Sequence, residues 1–205
     1  MDLVVSQPSI PAGAFVPTAD QRIVMHRVSW AQYEHQLELR GEASSPRIAY
    51  FEGTLELMSP SRDHERIKST VGCLILTYAL ERGIELSPYG SWTLKNEVKE
   101  SGVEPDECYL VGTDQSGETP HLAIEVIWTS GGIGKLALYA RLGVGEVWFW
   151  RNGRIEVNLL REDRYYQPAT RRAVFPELDL DLLTSFLDQP TATQAVRAFR
   201  DALRG

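Results

Sequence analysis

Two charged residues in the segment HLAIEVIWTSGGIGKLALYA, residues 121–140, lie where the local pattern disfavours charge. Glu125 interrupts an apolar run that predicts a buried strand. Lys135 opens a predicted helix, whose dipole disfavours a cation at that end. Because burying an isolated carboxylate costs several kcal/mol, Glu125 needs either an ion-pair partner or a metal ion. The pattern leaves both open.

Three further acids, Glu104, Asp106 and Glu107, surround Pro105 at the start of another predicted strand. Like charges this close repel one another unless they are solvated or neutralised, and a solvated turn is the commoner explanation. If this strand neighbours the strand of Glu125, Asp106 and Glu125 converge. Two converging carboxylates attract a hard divalent cation.

Lys135 follows the glycine-rich turn TSGGIG, which lets the chain return over the end of the strand that carries Glu125. In the simplest interpretation Lys135 extends into water. In the functional one it orients a nucleophilic water or offsets charge on a scissile phosphate. Two carboxylates, one lysine and a divalent metal ion make up a phosphodiester-hydrolysis site.

Two other residues are weaker candidates. His64 lies near the start of a long predicted helix, on the side of the helix that carries its apolar stripe. Such a histidine is more often a satisfied boundary residue than a metal ligand or a proton-transfer group. Glu52 precedes Gly53 in a predicted hairpin turn and is by default an exposed acid.

Helices and strands must position these residues. Ser29 and Ser61 are typical helix N-caps, and Gly83 ends the second helix. Asn152-Gly153 marks a second hairpin, within a C-terminal β-meander. The order of helix, strands, helix and strand predicts an α/β fold with a mixed sheet.

Composition limits the function classes. The chain has 205 residues, a formal net charge of −7 and a pI near 5.2, which disfavours a tight, sequence-reading DNA-binding protein. Two distant cysteines, Cys73 and Cys108, predict core thiols in a reducing compartment. The N-terminus lacks a signal-peptide pattern, so a cytoplasmic location is the expectation.

Two clusters have ordinary explanations. The aromatic run Trp148-Phe149-Trp150 predicts core packing, with a homodimer interface as the alternative. The segment 161–172 interleaves arginines with Tyr165 and Tyr166 and could touch a nucleic-acid backbone, but its acids favour a solvated hairpin.

The motifs VEPDECYL, LAIEVIWTSGGIGKLALYARLG and EGTLELMSPSRDHERIK together resemble the Uma-two family of restriction endonucleases, within the PD-(D/E)xK nuclease superfamily. The resemblance implies a restriction-endonuclease-like core, a mixed β-sheet flanked by helices, with an added C-terminal β-meander and helices. It also implies three segments: a flexible lead-in at 1–28, a nuclease-like domain at 29–187 and a C-terminal helix at 188–205.

The same resemblance implies site residues. Asp106 and Glu125 would bind magnesium or manganese. The superfamily's lysine position, two residues after the glutamate, holds Ile127, which cannot serve, and Lys135 matches the place to which the family moves that lysine. His64 and Glu52 match two further positions, whose roles are less defined.

The leading hypothesis is therefore a metal-dependent endonuclease acting on DNA, with RNA as a second candidate substrate. Its competitor is a non-catalytic nucleic-acid or protein-interaction module on a retained nuclease fold, which the low pI favours. A third account makes Glu125 and Lys135 a purely internal ion pair. In that case Glu125→Ala would lower stability and leave metal affinity unchanged.

Overall fold

The computed structural model describes residues 19–128 and 132–205. Five helices lie in these ranges: α1 (Trp30–Arg40), α2 (Arg62–Arg82), α3 (Lys135–Leu142), α4 (Leu180–Ser185) and α5 (Ala192–Arg204). The strands are β1 (Gln21–His26), β2 (Arg47–Phe51), β3 (Thr54–Ser59), β4 (Leu86–Pro88), β5 (Leu94–Asn96), β6 (Ser101–Val103), β7 (Glu107–Val111), β8 (Leu122–Val126), β9 (Glu146–Arg151), β10 (Arg154–Leu160) and β11 (Tyr166–Ala169).

The strands form two sheets. The first is antiparallel throughout, in the order β1-β3-β2-β6-β5. The second has the order β11-β10-β9-β8-β7-β4 and contains one parallel pair, β8 with β9, which α3 connects. The predicted α/β class with a mixed sheet is confirmed. The C-terminal meander extends this mixed sheet, and the antiparallel sheet lies beside it.

Local sequence explains the long helix. The Ser61 hydroxyl accepts a hydrogen bond from the His64 backbone N–H, and Gly83 ends α2 in the left-handed conformation that glycine tolerates. The apolar stripe predicted for α2 is buried in the core cluster of the mixed sheet, as its members Ile67, Val71, Leu74, Ile75 and Tyr78 show. The β2–β3 turn also matches prediction: Glu52 and Gly53 have positive φ, as a tight two-residue hairpin requires.

The C-terminal helix belongs to the same core. Phe199 of α5 is fully buried among residues of α2 and the mixed sheet. Glu81 of α2 accepts hydrogen bonds from Arg200 and Arg204. Trp148 and its two aromatic neighbours are buried, which confirms core packing and leaves no exposed aromatic patch there for a dimer.

The segment 1–28, predicted as a lead-in, contains β1, which pairs with β3 from Gln21 to His26; residues 1–18 of that segment lie outside the described ranges. Cys108 is buried as predicted, but Cys73 is exposed because it lies off the buried stripe of α2. Within the described residues, no helix is long and apolar enough to cross a membrane.

Candidate active site

Asp106 and Glu125 lie at adjacent strand ends. Strands β7 and β8 are antiparallel with Glu107 opposite Ile124, so Asp106 and Glu125 are the next residues that oppose each other. Both are buried, with exposed fractions of 0% and 3%. The backbone N–H of Val126 donates to Asp106 Oδ2 at 2.6 Å, which fixes that carboxylate against β8. The two acids are therefore neighbours across the sheet.

Lys135 reaches the Glu125 carboxylate from the first position of α3. Its Nζ atom lies 3.2 Å from Glu125 Oε1, and the Tyr139 hydroxyl donates to the same oxygen. Burial raises the pKa of Glu125 and the negative charge of Asp106 adds to the rise, while Lys135 opposes it. Both hydrogen bonds from described residues go to Oε1, so Glu125 Oε2 is the atom left for another ligand.

The turn that leads into α3 is held by a third buried acid. Gly134 is the N-cap and supplies no side-chain cap. Instead, Glu56 Oε2 on β3 accepts a hydrogen bond from the Ile133 backbone N–H at 2.9 Å. Gly132 has a φ of +92°, and a Cβ atom there would overlap the Glu56 carboxylate. Glu56 and Glu125 thus place two carboxylates at this helix end, which offsets the unfavourable position of Lys135.

A buried arginine binds the Asp106 carboxylate. Arg47, at the start of β2, donates to Asp106 Oδ1 and, through its other terminal nitrogen, to Glu65 Oε1 at 2.7 Å. Burial alone would raise the pKa of Asp106, but Arg47 and His64 together hold that pKa well below its usual range. Asp106 is therefore an anion in a nearly solvent-free environment.

His64 lies between two carboxylates. Its Nε2 is 3.0 Å from Asp106 Oδ2, and its Nδ1 is 3.1 Å from Asp20 Oδ2. Burial would lower the pKa of His64, but hydrogen bonds to Asp106 and Asp20 raise it to about 9. The raised pKa favours the doubly protonated ring at neutral pH, while Arg47 Nη1 also lies 3.2 Å from Nε2. Asp20 also accepts from the Ser61 backbone N–H at 2.9 Å, which ties it to the start of α2.

Glu52 is not brought to this group. Its side chain is 50% exposed and pairs with Arg141. It follows β2, whose first residue is Arg47, and these five residues of extended strand span about 17 Å. The structure thus brings together Asp106, Glu125, Lys135 and His64 and places Glu52 at the other end of the hairpin.

A family model described as "Putative restriction endonuclease" matches residues 30–189. The chain belongs to the Uma2 family. Among solved structures, it is similar to one titled a "putative nuclease belonging to DUF820" from Anabaena variabilis ATCC 29413, with 12% identity and a TM-score of 0.47. The alignment covers 79% of this chain and 96% of that one. The comparison with curated proteins gave no match.

Family membership places this Uma2 chain among the nucleases, whose substrates are nucleic acids. Glu125 and Lys135 also lie where a substrate could reach them. A cleft of about 340 Å³ opens onto Glu125 and Lys135. Arg22, Arg151 and Glu56 also line it. The three cations of the lining face two acids, since Arg22 pairs with Glu56 and Lys135 pairs with Glu125.

The donor chemistry of this Uma2 site fits a hard divalent cation. Two carboxyl groups on opposed strand ends supply the oxygen ligands that magnesium and manganese prefer. Glu125 Oε2 accepts no hydrogen bond from the residues that the structure describes, whereas Asp106 would exchange its contact with Arg47 for the metal. Within residues 19–128 and 132–205, no three His, Cys, Asp or Glu side chains form a ready-made metal cluster. The metal ligands to test are therefore the two protein carboxylates, with water and substrate oxygens completing the coordination.

Sequence reasoning missed several site residues. Arg47 carries no local signal, because a lone arginine at the start of a strand is an ordinary surface residue. Asp20 falls in a segment that was interpreted as a lead-in. Glu56 fits the alternation of polar and apolar residues in β3, so the sequence predicts an exposed acid there. Only its near-complete burial in the structure marks it as a site residue. Tyr139 lies four residues after Lys135 on α3, so the helical repeat could have suggested it.

Proposed function

We propose that this Uma2 chain is a metal-dependent endonuclease that hydrolyses phosphodiester bonds of DNA. The observation that carries the proposal is the opposed pair Asp106 and Glu125, with the ammonium of Lys135 3.2 Å from the Glu125 carboxylate at the wall of a cleft. An internal ion pair alone would not require Asp106, Arg22 or Arg151 at the same place. Nor would a binding module require two buried carboxylates.

Asp106 and Glu125 would hold magnesium or manganese. The ion, when bound, supplies an activated water and polarises the scissile phosphate. Tyr139 orients the Glu125 carboxylate through its hydrogen bond to Oε1. Glu125 Oε2 remains available to the ion.

The other residues position the substrate and the acids. Lys135 places its charge where negative charge develops on the phosphate, an arrangement that lowers the barrier most when water is excluded. Arg22, which pairs with Glu56, and Arg151 lie in the same cleft, and Arg151 can bind a flanking phosphate. His64, held by Asp20, keeps Asp106 anionic and oriented. It is a positioning residue, and Glu52 has no place in this mechanism.

Plasmid nicking with Mg²⁺, Mn²⁺ or EDTA tests the proposal, with magnesium binding measured by calorimetry on the same samples. Asp106→Asn and Glu125→Gln are expected to abolish both nicking and magnesium binding. Lys135→Met is expected to abolish nicking and retain metal binding. Glu52→Gln is the matched control and should cleave like the wild type.

A folded wild-type protein that neither binds magnesium nor cleaves DNA or RNA would overturn the nuclease proposal. Binding of nucleic acid without cleavage would identify a non-catalytic module. Cleavage of RNA alone would keep the chemistry and change the substrate. These outcomes are separable because metal binding, nucleic-acid binding and cleavage are measured independently.

A further inference from the structure

A second groove lies along α3, next to the cleft. It has a volume of about 630 Å³, and its walls include Phe51, Lys99, Arg141, Arg164 and Tyr165. Leu136 and Ala137 of α3 line both the groove and the cleft. The two openings therefore share the first turn of the helix that carries Lys135.

The groove combines aromatic rings with cations. Tyr165 is 75% exposed, an unusual state for a large aromatic side chain. The Arg141 guanidinium lies 4.9 Å from the centre of the Phe51 ring. Lys99, Arg141 and Arg164 contribute three positive charges against one acid of the lining, Asp163, although Arg141 also pairs with Glu52. Aromatic faces beside cations are the features by which proteins bind unpaired bases and their phosphates.

The loop that presents Arg164 and Tyr165 is internally braced. The backbone N–H of Arg161 donates to the Tyr165 carbonyl at 3.0 Å, and that of Arg164 donates to the Arg161 carbonyl at 3.0 Å. Asp163 Oδ1 accepts from the Tyr165 backbone N–H at 3.2 Å. The exposed ring therefore lies on a fixed turn, so less conformational freedom is lost when a ligand stacks on it.

We propose that this groove binds a single strand of nucleic acid that continues from the catalytic cleft, so that the substrate is unpaired beside the scissile phosphate. Six helical residues separate Lys135 from Arg141, about 9 Å along α3. This length corresponds to about two or three nucleotides of a strand in B-form spacing. The inference rests on the proposed function, because it assigns the strand's continuation to the cleft.

Fluorescence anisotropy with labelled oligo(dT), oligo(rU) and duplex DNA tests the groove in EDTA, where cleavage cannot occur. The wild type is expected to bind at least one single strand more tightly than the duplex. Tyr165→Ala and Arg164→Gln should each weaken that binding by about fivefold or more, the lower end of the loss reported for removing one stacked base. The single strand that binds more tightly, oligo(dT) or oligo(rU), identifies whether the groove prefers DNA or RNA.

Arg154→Gln and Tyr89→Ala are the matched controls, since both residues are exposed and lie outside the groove lining. Both should bind like the wild type, and thermal melts should show that all four variants are folded. Equal affinity for duplex and single strands, or unchanged affinity in Tyr165→Ala and Arg164→Gln, would overturn the proposal that the groove binds a single strand. Since no metal is present, these results do not depend on whether the cleft cleaves DNA.

Discussion

The Nζ atom of Lys135 lies 3.2 Å from Oε1 of Glu125, joining the first residue of α3 to the buried strand β8. A cation at a helix N-terminus and a carboxylate inside a sheet are each unfavourable alone. Together they offset part of each other's cost, and the second Glu125 oxygen stays available. This contact links two locally unfavourable charges to the proposed chemistry.

Glu125→Gln should separate the catalytic site from a structural ion pair. The amide keeps an oxygen for Tyr139 and Lys135 but cannot supply the negative charge that a divalent cation needs. We expect cleavage to fall by at least about 100-fold, the scale seen when one electrostatic contributor is removed. Thermal melting with and without Mg²⁺ checks this: the magnesium-dependent rise in Tm should appear in the wild type and vanish in the variant. A lower Tm in EDTA with the magnesium effect intact would favour the structural ion pair.

Gly132→Ala tests whether Glu56 fixes the turn before α3. The new Cβ atom would overlap the Glu56 carboxylate at a positive φ, so we expect a loss of about 1–3 kcal/mol in the free energy of unfolding, together with reduced cleavage. Gly134→Ala is the matched control, because a Cβ there meets no atom within 4 Å and its φ is −65°. Urea unfolding of both variants measures the difference. Equal stabilities would show that the turn is not held by Glu56.

Asp20→Ala should weaken the start of α2. It leaves the His64 Nδ1 proton and the Ser61 backbone N–H without their acceptor, and a buried unpaired donor costs about 1–3 kcal/mol. The exposed Asp188→Ala is the control and should change stability by less than about 0.5 kcal/mol. The midpoints of urea unfolding curves measure the stabilities of the two variants. Identical midpoints for the two variants would mean that the Asp20 contacts contribute no net stability.

Arg47→Gln should make the protein depend more on metal. Removing the guanidinium breaks the buried Arg47–Asp106 pair, and because His64 still contacts Asp106 we expect a loss at the lower end of the about 3–5 kcal/mol typical of such a change. A divalent cation at Asp106 can replace part of that charge. Melting curves in EDTA and in Mg²⁺ should show a lower Tm in EDTA and a larger magnesium-dependent rise than the wild type. The opposite order would place the ion elsewhere.

Local signals in the sequence predicted much of the fold. Ser61 and Gly83 bound α2 through contacts within a few residues, and such patterns are readable without tertiary structure. The sequence predicted that Asp106 and Glu125 converge only if their strands are neighbours, and the structure shows that these strands pair. The division into two sheets was not predicted, because strand pairing between distant segments such as β1 and β3 leaves no local pattern.

The site could be predicted only in part, because contacts between distant segments leave no local pattern. Glu125 and Lys135 contradict their local pattern, so the sequence alone singles them out. Arg47 and Asp20 do not contradict theirs, and only folding brings them to Asp106 and His64. Glu52 matched a family position, but the hairpin places it at the far end of β2 from Arg47 and away from Asp106.

The contact between Asp20 and His64 shows that the folded domain extends beyond the residues that match the family model. The Uma2 match begins at residue 30, but Asp20 and β1 precede it, and Phe199 in the core follows its end at residue 189. A recombinant fragment cut at 30–189 would retain Asp106, Glu125 and Lys135 while leaving His64 with one carboxylate and β3 with an unpaired edge. Inactivity of such a fragment would report the loss of its scaffold, and only a protein that includes these flanking residues can report on the chemistry.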